Sequence, residues 1–180
     1  ITTDGTNLYV MDTNNHKIRK IVISTGEVTT LAGSGEIGSS DGTGTSASFK
    51  YPHYAINIGT NLYVTDSSNG TIRKIETSTG IVTTFVGGDF RSPQGITTDG
   101  TNLYLVDREN NKIRKIVIST KEVSTIAGSN PSGYIDGEGT AAKFNYPWGI
   151  TTDGTNLYVG DGDNNVIRKI VISTGVVSTL

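Results

Sequence analysis

The side chains able to do chemistry are few, and nearly all of them repeat. An aspartate closes the same apolar triplet four times, as Asp12, Asp66, Asp107 and Asp161. A short carboxylate in that place is expected to accept backbone N–H groups of the following turn. Repetition in every copy assigns it to the frame, because catalysis seldom needs one residue per repeat. Asp161-Gly162-Asp163-Asn164-Asn165 has the one-three-five oxygen spacing of a calcium loop. Val166 and Ile172 stand where such a loop needs its Gly and its distal Glu. The loops at Asp41 and Asp136 offer one or two carboxylates each. The expected cofactor is therefore none, with calcium the one candidate left open. His16 and His53 are the two histidines, in different types of loop, and there is no cysteine. A three-histidine zinc site is not available within these four repeats, a Cys/His pair is excluded, and no Ser/His/Asp arrangement is supported. The expectation is a protein that is not an enzyme.

Bulk properties narrow the class further. The net charge of −2 and the pI near 5.6 leave no electrostatic footprint for nucleic acid. Lys20, Lys74, Lys115 and Lys169 accompany Arg19, Arg73, Arg114 and Arg168, and either pair with acids on adjacent strands or solvate an outer strand. No aromatic platform is interleaved with these bases, as single-stranded nucleic acid would require. No apolar run approaches the roughly 20 residues of a membrane span. Hydrophobic content is 34% and there are 23 glycines among 180 residues, which suits short strands and tight turns. The chain begins at Ile1 inside a repeat, so it is read as a segment of something longer.

The elements that hold these residues come from a repeat. Ile1-Thr2-Thr3-Asp4-Gly5-Thr6-Asn7-Leu8-Tyr9-Val10 returns as 96–105 and 150–159, with a degraded copy at 55–64. Leu8, Leu62, Leu103 and Leu157 are spaced 54, 41 and 54 residues apart, so a long-plus-short pair of repeats is copied once with an offset of 95. Periods of this size fit propeller blades. Each repeat reads as four strands, A to D, bounded by Asp-Gly-Thr-Asn, Asp-Thr-Asn-Asn-His and Ser-Thr-Gly turns. Strand B is apolar on both faces, as a sheet sandwiched between two others requires. The four repeats are expected at 1–33, 54–87, 95–128 and 149–180, within one domain spanning 1–180.

Gly149-Ile150-Thr151-Thr152-Asp153, then Leu157-Tyr158-Val159-Gly160-Asp161, then Asn165-Val166-Ile167-Arg168-Lys169-Ile170 resemble the NHL repeat. Its pattern runs Pro-x-Gly-Ile-x-x-Asp, Leu-Tyr-Val-x-Asp and Asn-x-x-Ile-x-x-Ile. The resemblance covers the whole chain and is closest to bacterial tandem arrays. It implies an all-β fold, a β-propeller of four-stranded antiparallel blades, four of them in this chain. It also implies two contrasts. Amidating lyases that share the repeat hold zinc with histidines this chain lacks, and RNA-binding relatives carry a basic top face that this chain lacks too. In blade two Tyr54-Ala55 replaces Gly-Ile and Ile58 replaces the turn Asp, which predicts an irregular inner strand.

Strand alternation places the D-to-A and B-to-C connections on one face and the monotonous A-to-B and C-to-D turns on the other. The first face carries nearly all the variation, which in repeat proteins marks a binding face. Its long connectors, 33–52 and 128–147, each contain a Phe (Phe49, Phe144) expected to tuck the loop onto the blades. Each ends in Tyr-Pro, with the Tyr expected to be extended because of the following Pro. The residues after the prolines, His53, Gln94 and Trp148, differ in an otherwise copied frame and are placed near the mouth of a central channel. Trp148 either anchors a ligand or fills the taper of the channel. With Tyr134, Arg108, Glu109 and Asn14 they form the candidate binding set. The expected function is a non-enzymatic scaffold on the outside of a bacterial cell, contacting a protein or a glycan through this face. Two alternatives stand beside it: an architectural subunit of a surface assembly or filament, and a metal-dependent hydrolase or lyase with ligands outside this segment. Open blade ends predict self-association, either within a longer propeller, by joining two copies, or by closing four blades on themselves.

Overall fold

Thr, Val and Ile runs cut by Gly, Asn and Asp clusters give short strands and single turns of 3-10 helix, with no α-helix. The computed structural model describes residues 1–180. Blade one consists of β1 (Thr2–Thr3), β2 (Asn7–Asp12), β3 (Lys17–Val22) and β4 (Val28–Ala32). Blade two consists of β5 (Gly42–Thr43), β6 (Pro52–Ile58), β7 (Asn61–Asp66), β8 (Thr71–Glu76) and β9 (Ile81–Gly87). Blade three follows as β10 (Pro93–Thr98), β11 (Asn102–Asp107), β12 (Lys112–Val117) and β13 (Val123–Ala127). Blade four is β14 (Gly137–Glu138), β15 (Ile150–Thr152), β16 (Asn156–Asp161), β17 (Val166–Val171) and β18 (Val176–Thr179). The chain forms two compact units, 1–93 and 94–180.

Each unit pairs one four-stranded antiparallel sheet with one of five strands. Their orders are β1-β2-β3-β4 with β5-β9-β8-β7-β6, and β10-β11-β12-β13 with β14-β18-β17-β16-β15. The fifth strand was not expected. Each long connector lends two residues to the outer edge of the blade it leads into, Gly42 and Thr43 pairing with Val82 and Ile81, and Gly137 and Glu138 with Val177 and Val176. Covering that edge removes unpaired N–H and C=O groups that would otherwise template association.

The core of each unit lies between its two blades. In the first, Tyr9, Met11 and Ile18 of blade one meet Leu62, Val64, Ile75 and Val82 of blade two. In the second, Tyr104, Val106 and Ile113 meet Leu157, Val159, Ile170 and Val177. Successive residues of a strand face opposite ways, so the Leu-Val-Ile set and the Tyr-x-Ile set are the two faces of one blade. Phe49 and Phe144 are fully buried within these same clusters, as expected.

The A-to-B turns are built around one carboxylate. Asp99 accepts the Thr101 and Asn102 N–H groups at 2.8 and 2.6 Å, the Asn102 side-chain amide at 2.9 Å and the Tyr104 hydroxyl at 2.8 Å. Asp4 and Asp153 do the same in blades one and four. Blade two, which lacks this Asp, uses a tighter hairpin with Ile58 opposite Asn61 and Gly59 at φ 58°. Its strand β6 slips register between Pro52 and Ala55, the irregularity the sequence predicts.

Partial burial pushes the Asp99 carboxyl up, but the hydrogen bonds from Asn102, Thr101 and Tyr104 outweigh it and bring it down to about 2. Asp4 is lowered against burial by the matching bonds, and Asp153 is lowered chiefly by the Asn156 amide. A depressed carboxyl stabilises the fold above its unfolded pKa, near 3.9, and that contribution is lost as pH falls through the folded value. The thermal midpoint should therefore hold steady near neutrality and fall as pH drops from about 4 towards 2. Asp99→Asn should flatten the profile in that window. A midpoint, followed by circular dichroism, that does not move between those pH values would contradict the role given to these turns.

Candidate functional site

Each B-to-C connection is one 3-10 turn closed by a residue in the left-handed region: His16, Gly70, Asn111 and Asn165, at φ between 53° and 64°. In the odd blades this residue holds the incoming connector. The Tyr51 N–H donates to His16 Nδ1 at 3.3 Å, and the His16 and Tyr51 rings meet edge to face at 4.7 Å. In blade three the Tyr146 N–H donates to Asn111 Oδ1 at 2.9 Å, and Asn111 Nδ2 donates to Asn130 Oδ1 at 3.0 Å. His16 is 7% exposed and serves the frame.

These bonds overturn the extended backbone expected for the pre-proline tyrosines. Tyr51 and Tyr146 have φ of 52° and 46°, and Ser92 before Pro93 has φ of 54°. The preference set by proline sterics is modest. The two tyrosines give it up where their N–H groups turn back onto the preceding blade's cap residue.

The second unit gathers a cation and two aromatic rings on this face. The Arg108 guanidinium carbon lies 4.8 Å from the Tyr146 ring centre and 4.6 Å from that of Trp148. Arg108 opens the turn that follows β11, while Tyr146 and Trp148 flank Pro147 at the start of blade four. The Trp148 backbone is pinned on both sides: its N–H donates to Gly160 O at 2.9 Å and its carbonyl accepts the Gly95 N–H at 3.0 Å. A Cβ on Gly95 would sit 2.8 Å from that carbonyl, which explains the glycine two residues after Pro93. Trp148 remains 42% exposed and Tyr146 39%. Trp148 also lines an open depression of about 570 Å³ with Gly162, Asn165 and Ile167.

The remaining candidates divide. Glu109 and Asn14 are exposed on their turns. Tyr134 is 55% exposed, with the Arg168 guanidinium 5.3 Å from its ring centre. His53 is half-buried. Gln94 is only 3% exposed within β10 and is withdrawn from the candidate surface. The offset of 95 makes Thr13, Tyr51 and His53 the first-unit counterparts of Arg108, Tyr146 and Trp148. There Thr13 Oγ1 donates to the Pro52 carbonyl at 2.8 Å, a frame contact without a cation. Tyr146 escaped the sequence reading because it is identical in both copies. Only its neighbours differ.

In blades two and four the repeated Asp and Arg residues form a clasp rather than a solvated stripe. In blade two Arg73 is fully buried, pairs with Asp66 at 3.1 Å and Asp41 at 2.8 Å, and donates to the Ser48 and Ser40 carbonyls at 2.9 and 3.0 Å. Its guanidinium stacks 5.1 Å from the Phe49 ring centre. Arg168 repeats this with Asp161 at 2.8 Å, Asp136 at 2.6 Å and the Lys143 and Ile135 carbonyls. Each clasp fixes a long connector to its blade. Contrary to the expectation from sequence, the Asp66 and Asp161 carboxylates do not cap the turn that follows them. Asp66 and Asp161 accept the N–H of Lys50 and Asn145 from the connector, and the amide of the Asn three residues on. The connector N–H groups reach these oxygens at 2.7 Å, and the turn's own backbone N–H groups make no hydrogen bond to them. Asp161 is thus committed to Asn145, Asn164 and Arg168, which draws the first ligand of the candidate calcium loop into the frame.

No family model matches the chain. A 27%-identical solved structure, a protein of unknown function from Bacteroides thetaiotaomicron, superposes over 96% of the chain with a TM-score of 0.73. The fold is that of a β-propeller. A streptogramin B lyase (16% identical, TM-score 0.71, 99% of the chain) shares it. So does an auxiliary nutrient binding protein from the same Bacteroides species (22% identical, TM-score 0.70, 96% of the chain). The chain spans 45%, 52% and 45% of these three structures. Among curated proteins, SUPPRESSOR OF QUENCHING 1, chloroplastic, of Arabidopsis thaliana is 39% identical over 74 residues, 41% of this chain and 7% of that protein's length. No helix is long and apolar enough to cross a membrane.

Proposed function

We propose that this chain is a non-enzymatic binding propeller of the NHL-repeat type, displayed outside a bacterial cell, whose second unit captures a glycan on Arg108, Tyr146 and Trp148. The observation that carries this is Trp148 itself, 42% exposed on a backbone pinned at both its N–H and its carbonyl. A rigid indole offers a large stacking area for the apolar face of a sugar at little entropic cost. Arg108 and Glu109, beside it in sequence and on the same turn, supply donors and acceptors for hydroxyl groups. The Bacteroides protein described as nutrient-binding lends the reading support through its shared fold alone.

Trp148 is the sole tryptophan, so its fluorescence reports its own occupancy. Titration with a panel of oligosaccharides should shift its emission for at least one of them. Trp148→Ala should weaken that glycan's capture, measured by calorimetry, roughly 30-fold, the scale of a lost hot-spot aromatic. A panel that leaves the emission unmoved, or an emission shift produced by peptides alone, would overturn the glycan assignment.

A further inference from the structure

The first residue of the B-to-C turn serves the frame in blades one and two, and in both it is a hydroxyl. Thr13 Oγ1 donates to the Pro52 carbonyl at 2.8 Å, and Ser67 Oγ donates to the Pro93 carbonyl at 2.6 Å. Each bond ties the turn to the proline at the end of the connector that follows. Blade three puts Arg108 in this place. Arg108 donates to no carbonyl and forms no ion pair, so the frame contact is given up and nothing in the protein replaces it. Arg73, Arg114 and Arg168 behave otherwise. Each pairs with a buried aspartate, at 3.1, 3.1 and 2.8 Å.

The acids next to Arg108 do not neutralise it. Asp107 is spent on Arg114, and Glu109 is exposed and makes no ion pair. What holds Arg108 is the pair of rings, Tyr146 and Trp148. Ring contacts fix a guanidinium without using any of its five N–H donors. Arg108 is itself half-buried, and its Nε is buried with no acceptor. A cation that is held in place, partly desolvated and unpaired costs free energy that an anionic ligand recovers.

We infer, resting on the glycan reading of this face, that the sugar captured there is acidic and that Arg108 binds its carboxylate while the Trp148 indole stacks on its ring. A planar carboxylate meets the planar guanidinium with two parallel charge-assisted bonds, which a neutral hydroxyl cannot match. The first unit has Thr13 and His53 in place of Arg108 and Trp148, so the preference belongs to the second unit.

The test titrates the whole chain with uronic-acid trisaccharides, each paired with its methyl ester, and with neutral and sulfated trisaccharides, followed by Trp148 emission. A uronic acid should bind, and its ester should bind roughly tenfold to a hundredfold more weakly, the scale of a charge-assisted hydrogen bond. Raising salt from about 0.05 to 0.5 M should narrow that gap. Arg108→Gln should close it to within about twofold. Acid and ester are compared in the same variant, so any shift of Trp148 caused by the substitution affects both. Where the variant binds neither, the salt dependence of the wild type decides. Neutral or sulfated sugars that bind as tightly as the uronic acids, or a gap that survives Arg108→Gln or ignores salt, would overturn the carboxylate assignment and leave the glycan reading standing. A panel in which no sugar moves the emission would overturn both.

Discussion

Arg168→Met is expected to lower the stability of the chain by about 3–5 kcal/mol, the cost of breaking a buried ion pair by removing one partner. The guanidinium and the Asp161 carboxylate are both fully buried, 2.8 Å apart. Without Arg168 the carboxylate stays in the interior with only Asn145 and Asn164 to bind it. The Lys143 and Ile135 carbonyls and Asp136 lose their donor at the same time, so the connector comes off the blade. Arg168→Lys should rescue little, because a single ammonium cannot reach acceptors that a planar fork holds on two sides. Asp161→Leu in the Arg168→Met background should recover part of the loss, since a buried pair replaced by apolar groups is often neutral. Urea denaturation measures all three. A loss below about 1 kcal/mol for Arg168→Met would show that the clasp is ornamental, of the kind seen for exposed ion pairs.

Phe49→Ala should cost about 3–5 kcal/mol, the range for truncating a buried aromatic. Phe49 is fully buried in the cluster that holds Tyr9, Met11 and Leu62, and Arg73 stacks on its ring. The damage should be local before it is global. Gly42 and Thr43, which pair with Val82 and Ile81 at the blade edge, should lose amide-exchange protection first. Proteolytic cutting should appear between Gly33 and Pro52 under conditions that spare the wild type. Phe49→Leu should retain most of the protection, because it keeps much of the buried volume. Uniform loss of protection across the first unit, with no excess in the connector, would contradict an anchoring role for this ring.

Much of the architecture was legible in the residues. Asp-Gly-Thr-Asn specifies its hairpin through local hydrogen bonds, so the turn around Asp4, Asp99 and Asp153 needed no tertiary context. Alternation within Leu8-Tyr9-Val10 revealed two buried faces per strand. The departures in blade two announced the slip in β6. Phe49 and Phe144 stood out as apolar residues in polar loops. The variation confined to one set of loops led to Trp148 and Arg108, which the structure does bring together.

What escaped the sequence concerns contacts between residues far apart along the chain. Arg73 and Arg19 have the same neighbours in sequence, yet Arg73 is buried in a clasp with Asp41, 32 residues away. Only the path of the connector decides that. Likewise Tyr51 and Tyr146 leave the extended region because a cap residue 35 positions earlier accepts their N–H groups. Gln94 and Trp148 occupy matching places after a proline, and burial separates them. The sequence by itself determined the blades, their turns and their two apolar faces, because those depend on propensity and alternation over a few residues. Which arginine is caged, which tyrosine turns back and which aromatic stays exposed were decided by tertiary structure. Those outcomes depend on which segments the connectors carry within hydrogen-bonding distance, and no local pattern encodes that.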